Sequence, residues 1–179
     1  MNLSHHQKLA RAVELLETGL RSPIVVVSTG LPENRVRALA KDMNGFTRAS
    51  SGALPGPASI TKTTVSRLEA SLWSAIYQTL GGQGVMQAVD IDSLIRSHRV
   101  YRRMRESLSE RMKRGPHTIN HTWVLARGLC SGEVLIHRCS TCDIQYLVAC
   151  NPQGPCGCPV CALDPHATAE RSSDDEAAN

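Results

Sequence analysis

Residues 139–161 read CSTCDIQYLVACNPQGPCGCPVC and contain six of the seven cysteines of the chain. Two Cys-x2-Cys pairs stand at the ends of this run, Cys139 with Cys142 and Cys158 with Cys161, and fifteen residues separate them. Two such pairs at this distance are typical of structural zinc sites, where four thiolates occupy the corners of a tetrahedron. The spacing predicts one structural Zn²⁺, held by these four cysteines in a zinc-ribbon-like region over residues 132–166.

Other chemistry for these cysteines is less consistent with the sequence. A thioredoxin-like redox site normally uses one such pair in a βαβ setting, and a disulfide scaffold needs an oxidising compartment. A catalytic zinc leaves one position open for water, whereas four cysteines close the coordination shell.

The remaining cysteines and two histidines leave some alternatives open. Cys156 is an alternative ligand to Cys158, although it would form a poorer pair with Cys161. His137 and His166 flank the cluster and are possible ligands that four sulfurs make unnecessary. We expect Cys150 to be a small core residue and Cys130 to pack on the apolar side of its helix.

A second motif lies at residues 25–41, which read VVVSTGLPENRVRALAK. A short apolar helix, a turn at Gly30 and a second helix with Val36 and Leu39 inward would form a helix-turn-helix. This leaves Arg35, Arg37 and Lys41 facing outward, and we predict that they contact DNA, because Arg suits base edges and Arg and Lys suit phosphates. An ordinary pair of core helices joined by a glycine turn is the alternative.

Hydrophobic periodicity predicts a mainly α protein, a helical bundle with a helix-turn-helix-like segment. Ser4 and Gln7 form a capping box before the first helix, and Pro23 favours a short helix over a strand for the β-branched residues 24–28. The other predictions are helices over 31–43, 65–80, from Asp90 or Asp92 to about Lys113, and 118–130, and a strand over 133–138. We expect residues 1–131 to form a DNA-binding and partner-binding domain, with a connector at about 46–59, and residues 167–179 to be a disordered acidic tail.

Charge is distributed unevenly along the chain. Residues 1–138 carry 19 Lys and Arg against 10 Asp and Glu, whereas residues 139–179 carry one Arg against six acids, so the net charges are +9 and −5. A basic body suits a polyanionic partner. One further basic group on the long helix would suit DNA or an acidic protein, and comprises Arg96, Arg99, Arg102, Arg103, Arg105, Arg111, Lys113 and Arg114.

The composition also bears on the class of protein. Neither a signal peptide nor a run of about 18 apolar residues is present, so we expect a cytoplasmic protein without a membrane partner. The sequence contains no paired carboxylates, nucleophile elbow or phosphate-cradling glycine loop, and we predict that it is not an enzyme.

Taken together, these features resemble the FlhC family, the zinc-containing subunit of a bacterial flagellar transcription activator. The resemblance spans residues 10–161 and rests on Leu15-Leu16-x-Thr18-Gly19-x-Arg21, Leu31-x3-Arg35-x3-Leu39-x-Lys41, Ala53-Leu54-Pro55, the Tyr101 helix, Trp123-x-Leu125-x-Arg127, Ser131-Gly132 and the two cysteine pairs. Two departures mark a divergent member: residues 56–61 lack the aromatic residues usual after Leu-Pro, and the tail is acidic rather than basic.

The resemblance implies a transcription activator subunit that acts in a hetero-oligomer with an FlhD-type protein, binds promoter DNA and recruits RNA polymerase. Carried over by motif, the zinc ligands are again Cys139, Cys142, Cys158 and Cys161. The target genes would be flagellar genes or the transfer genes of a mobile element. The alternative is a zinc-ribbon module that binds another protein without reading DNA sequence.

Overall fold

The protein is described here from a computed structural model that covers residues 4–44, 52–107 and 115–163. It is mainly helical and divides into two compact units, Met1–Leu54 and Pro55–Asn179. The division falls within the predicted connector, and the later helices belong to the same unit as the cysteine region. Within the described ranges, no helix combines the length and the apolar character needed to cross a membrane.

The described residues of the first unit form three helices that contact one another: α1 (His5–Glu17), α2 (Ser22–Thr29) and α3 (Glu33–Asn44). The predicted capping box is present, because Ser4 and Gln7 exchange side-chain to backbone hydrogen bonds before α1. The core is aliphatic, and its largest fully buried side chains are Leu15, Ile24, Val25 and Val36. This agrees with a sequence that has few aromatic residues with which to fill a core.

Helix α2 is a helix, as its context predicted, and not the strand that its β-branched residues alone would favour. Pro23 lies in its first turn, where no intrahelical N–H bond is lost. Gly30 ends it with φ +66°, and the Gly30 N–H donates to the Val26 carbonyl at 2.8 Å. Only glycine adopts this left-handed backbone at little cost, so the turn before α3 depends on it.

The second unit is built around a helical core. It contains α4 (Pro57–Ile60), α5 (Thr64–Gly81), a 3₁₀ turn (Gln83–Met86), α6 (Ile91–Ser107) and α7 (Ile119–Ser131). Trp73 and Tyr77 of α5 stack with ring centroids 5.0 Å apart, and the Trp73 indole N–H donates to Ser97 of α6. Together with the buried Tyr101 and Leu125, they join α5, α6 and α7 in one core.

Helix α5 buries a different face from the one that its hydrophobic periodicity suggests. The buried residues are Ser66, Arg67, Glu69, Ala70, Ser71, Trp73, Ser74 and Tyr77. The aliphatic residues Val65, Leu68, Leu72 and Ile76 are only half-buried, and Leu80 is exposed. At about 100° per residue these aliphatic side chains form a second row beside the buried one, and Leu68 and Leu72 lie farthest from it. We call this row, which consists of Val65, Leu68, Leu72, Ile76 and Leu80, the outer stripe.

The cysteine region begins with an antiparallel hairpin of β1 (Val134–Arg138) and β2 (Gln145–Ala149), and ends in α8 (Pro159–Leu163). In the register, Val134 pairs with Ala149 and Arg138 with Gln145. The Leu147 N–H of β2 donates to the Ser71 hydroxyl of α5 at 2.9 Å. The hairpin is therefore tied to the helical core by a buried hydrogen bond as well as by packing.

Several expectations need correction. Residues 57–60 form the short helix α4 rather than part of an extended connector, because Pro57 provides a first-turn proline. Met104 was expected in the apolar stripe of α6 but is exposed, and Arg105, expected on the basic surface, is buried. Strand β2 was not predicted. The predicted helix end at Lys113 and the acidic tail lie outside the described residues.

Candidate metal centre and DNA-binding helix

The first cysteine pair lies in the tight turn between β1 and β2. The Cys139 N–H donates to the Ile144 carbonyl and the Asp143 N–H donates to the Cys139 carbonyl, both at 3.0 Å. Asp143 has φ +62°, a left-handed conformation that aspartate tolerates better than most residues. Its carboxylate also pairs with the Arg138 guanidinium. These contacts fix the turn, so that Cys139 and Cys142 lie on the same side of it.

The second pair lies at the start of α8. Cys158 immediately precedes Pro159, the first residue of the helix, and Cys161 follows three residues later. Residues three apart in a helical turn share a face, so both sulfurs can reach one point. The Ala162 N–H donates to the Cys158 carbonyl at 3.1 Å and closes the turn. Cys158 is buried, whereas Cys161 is half-buried.

The four predicted ligands come together. The sulfurs of Cys139, Cys142, Cys158 and Cys161 all lie within 4.8 Å of one another. The Cys139 and Cys161 sulfurs are 3.7 Å apart, and those of Cys142 and Cys158 are 3.6 Å apart. A tetrahedron with zinc–sulfur bonds of about 2.3 Å has sulfurs about 3.8 Å apart. The residues present therefore fit a tetrahedral zinc ion, and the cluster can hold a metal.

The ionisation of the cluster also favours a cation. Backbone N–H groups of Cys142 and Thr141 donate to the Cys139 sulfur and lower the pKa of that thiol to about 6. Contact with the Cys142 sulfur raises the pKa of Cys161 to about 12, and burial raises the pKa of Cys158. Four thiols this close do not all ionise unaided, because each thiolate repels the next. A bound dication would remove that penalty.

The cysteine region rests against the N-terminal half of α5. The loop before the second pair packs so closely that a Cβ at Gly154 would overlap the carbonyl oxygen of Lys62, just before the helix. Further along α5, Ser71 accepts the hydrogen bond from Leu147, and α8 also contacts α5. Between these two anchor points lies Arg67, which is only 2% exposed.

Tyr146 lies on β2 next to Leu147, and its hydroxyl has a shifted pKa. Burial raises the pKa of the Tyr146 hydroxyl, the charges of Cys139 and Cys158 raise it further, and the charge of Arg67 lowers it. Sequence reasoning missed Arg67 and Tyr146. The sequence offered one signal for Arg67: it is a charged residue four positions before Ser71, on the same face of α5.

The other candidate ligands lie outside the cluster. Cys150 was expected in the core, but it is exposed, and its thiol donates to the Gly132 carbonyl at 2.9 Å. Cys156 is exposed, and His137, also exposed, contacts the Tyr146 ring instead. Cys130 is half-buried on α7 and donates to the Val85 carbonyl at 3.3 Å. His166 lies outside the described residues.

In the first unit, α3 has one buried and one exposed side. Val36 is fully buried and Leu39 half-buried, as the helix-turn-helix interpretation requires. Arg35, Arg37 and Lys41 are all exposed. The Arg37 guanidinium forms an ion pair with Glu33 at 2.6 Å on the helix surface. Glu33 therefore partly neutralises Arg37, whereas no acidic side chain forms an ion pair with Arg35 among the described residues.

Helix α6 carries a second exposed basic group in the other unit. Arg96, Arg99, Arg102 and Arg103 are exposed, and Arg102 forms a weak ion pair with Glu106 at 3.7 Å. Arg105 does not belong to this surface, because it is buried against Glu69 of α5. Arg111, Lys113 and Arg114 lie outside the described residues. Within the described part of α6, the exposed members of the predicted basic surface are thus four arginines over two turns.

A helical body, a basic helix after a glycine turn and a four-cysteine cluster suited to a metal ion are features expected of a regulatory protein. Comparison with known families identifies which one. The sequence matches the family described as flagellar transcriptional activator (FlhC) over residues 2–174, so the chain belongs to the FlhC family. The members of this family are transcriptional regulators of flagellar genes and not enzymes, which confirms the predicted resemblance.

A curated relative gives the degree of divergence. The chain is 27% identical over 156 residues to a flagellar transcriptional regulator FlhC from Paraburkholderia atlantica. The aligned part covers 87% of this chain and 69% of the relative. This identity confirms a divergent member of the family.

Proposed function

We propose that this chain is the DNA-binding subunit of a transcription activator that reads promoter DNA through α3. The observation that carries the proposal is the exposure of Arg35, Arg37 and Lys41 on a helix whose opposite side is anchored by the buried Val36. A helix of this kind enters the major groove with its N-terminal residues foremost. Arg35 is nearest that end, and we assign it to a base edge and Lys41 to a phosphate.

The proposal includes one structural zinc ion held by Cys139, Cys142, Cys158 and Cys161. The tetrahedral spacing of their sulfurs supports it. When bound, the metal supplies folding energy rather than chemistry, since four thiolates leave no position for a substrate. Beside it, the chain's own contacts hold the two pairs in place: the Arg138–Asp143 ion pair fixes the first, and the Gly154 loop against Lys62 fixes the second.

We further propose that the chain acts in a hetero-oligomer with an FlhD-type subunit, and that the complex recruits RNA polymerase to flagellar or transfer promoters. The outer stripe of α5 supports a partner. Its residues are aliphatic, yet four of them are only half-buried within their own unit and Leu80 is exposed. Aliphatic rows that are left partly uncovered are typical of surfaces that bind another protein.

The partner is tested by co-expressing the chain with an FlhD-type subunit and purifying by a tag on that subunit. Leu72→Asp and Leu80→Asp each place a charge in the outer stripe and should reduce the amount of chain recovered by at least about tenfold, since burying an unpaired charge costs several kcal/mol. Leu135→Asp is the matched control, because Leu135 is 46% exposed on β1. Recovery of both stripe variants at the control level would show that the subunit binds elsewhere.

A further inference from the structure

Arg67 is a buried cation that forms no ion pair with any carboxylate in the described part of the chain. Its side chain lies on α5 at 2% exposure, and among the described residues its Nε and Nη2 atoms have no hydrogen-bond partner. Glu69 is only two residues away, but positions two apart on a helix point in different directions. The Glu69 carboxylate is already paired with Arg105. A buried, unpaired guanidinium is costly, so an anion is expected beside it.

The position of Arg67 identifies where that anion lies. Arg67 and Ser71 are four residues apart and share a face of α5, and Ser71 accepts the Leu147 N–H from β2. Toward the start of the helix, the Lys62 carbonyl meets the loop at Gly154. Arg67 lies between these contacts, so its surroundings are the hairpin and the loop that carry the two cysteine pairs. Helix α8, which carries Cys161, also contacts α5.

A four-thiolate zinc centre is an anion of the required kind. A dication with four thiolates retains two negative charges, and such centres are stabilised by nearby N–H donors and cations. We propose that Arg67 is the counter-cation of the four-cysteine centre, a positioning residue whose charge offsets the negative charge of the metal-loaded cluster. The inference rests on the zinc site proposed above. In this arrangement the metal centre and α5 stabilise each other, because each neutralises a charge that the other has buried.

The test measures zinc affinity by equilibrium competition with a chromophoric chelator, using the full chain purified with its partner subunit. Arg67→Met removes the charge at similar size and should weaken zinc binding about 10- to 100-fold, the range for residues that support metal ligands. Arg67→Lys keeps the charge and should bind zinc much more tightly than Arg67→Met. Arg103→Met, which removes an exposed arginine of α6, should match the parent.

The zinc affinities of the parent and of the Arg67 variants test the zinc site and the role of Arg67 separately. A parent chain that binds no zinc would overturn both. A parent that binds zinc, with Arg67→Met binding it equally well, would overturn only the role of Arg67. If Arg67→Met does not fold, Arg67→Gln and Arg67→Lys are compared instead. A lower affinity in the Gln variant alone supports the counter-cation, and equal affinities overturn it. Cobalt substitution gives a second reading, because sulfur-to-cobalt absorption should weaken in parallel with zinc affinity.

Discussion

The carboxylate of Glu69 on α5 accepts a hydrogen bond from the Arg105 guanidinium on α6, and both side chains are almost completely buried, at 3% and 5% exposure. This pair crosses the interface between the two longest described helices. Breaking a buried ion pair on one side leaves an uncompensated charge, which is worse than having neither charge.

We therefore expect Arg105→Met to lower the free energy of unfolding by about 3–5 kcal/mol. The double variant Glu69→Leu with Arg105→Met should be more stable than Arg105→Met alone, because no charge is left unpaired. Urea denaturation of the three proteins measures both effects. A single variant within about 0.5 kcal/mol of the parent would place the pair in a more polar environment than the structure indicates.

Three parts of the structure could be predicted from the sequence, each for a different physical reason. The cysteine cluster follows from spacing, because metal geometry leaves little freedom. The helix at α2 follows from Pro23 and Gly30, which outweigh the β propensity between them. The exposed positions of Arg35, Arg37 and Lys41 follow from helical period once Val36 is taken as inward.

The buried face of α5 could not be predicted from hydrophobicity, because the helix has two rows of residues that could each pack against a core. The more aliphatic one, with Leu68 and Leu72, carries the stronger periodic signal but is turned outward. The buried side contains serines, which let β2 and α7 approach closely and supply hydrogen bonds such as that from Leu147 to Ser71. A weaker signal, Ala70, Trp73 and Tyr77 at helical spacing, marks that side. Similarly, Arg105 looked like a surface charge because its partner is 36 residues away.

Ligand assignment is tested by replacing cysteines singly. Cys142→Ser and Cys158→Ser should each abolish retention of zinc and reduce soluble yield, since structural zinc contributes about 10–16 kcal/mol of apparent binding energy in small peptides. Cys150→Ser and Cys156→Ser should retain the metal, because both thiols are exposed and outside the cluster. Metal analysis of each purified variant gives the answer. If Cys156→Ser loses zinc and Cys158→Ser retains it, Cys156 and not Cys158 is the fourth ligand.

The packing of the second cysteine pair against α5 is tested at Gly154. Gly154→Ala places a methyl group on the Lys62 carbonyl, which is backbone and cannot turn away. We expect faster zinc release to a chelator and a lower melting temperature. Gly157→Ala is the matched control, because a Cβ there meets no atom within 4 Å. Equal release rates in the two variants would mean that the loop does not rest on α5.

Acid should destabilise the second unit partly through His98. Burial, followed by the charge of Arg102, lowers the pKa of His98 to about 4 from the ordinary value of 6.5. Below about pH 6.5 the unfolded chain takes up a proton that the folded chain resists, so stability is present above that pH and is lost as the pH falls toward 4. Burial also lowers the pKa of His117, which acts in the same direction.

His98→Gln should therefore show a smaller fall in melting temperature between pH 7 and pH 5 than the parent, without abolishing it. Loss of zinc at low pH affects both proteins, so the comparison is between their slopes. Parallel slopes would mean that His98 is already accessible to protons in the folded state.

Binding of promoter DNA by the chain in complex with its partner tests the central claim most directly. The binding free energy is measured at several salt concentrations, on variants whose zinc content is confirmed as normal. Arg35→Ala should lose about 1–3 kcal/mol of binding free energy at one base position and should relax specificity there. Arg35→Lys retains the charge but not the bidentate geometry, and should also lose specificity. Lys41→Ala should weaken binding evenly across sequences, with a shallower salt slope. Unchanged specific binding by both Arg35→Ala and Arg37→Ala would contradict the account and favour a module that binds another protein.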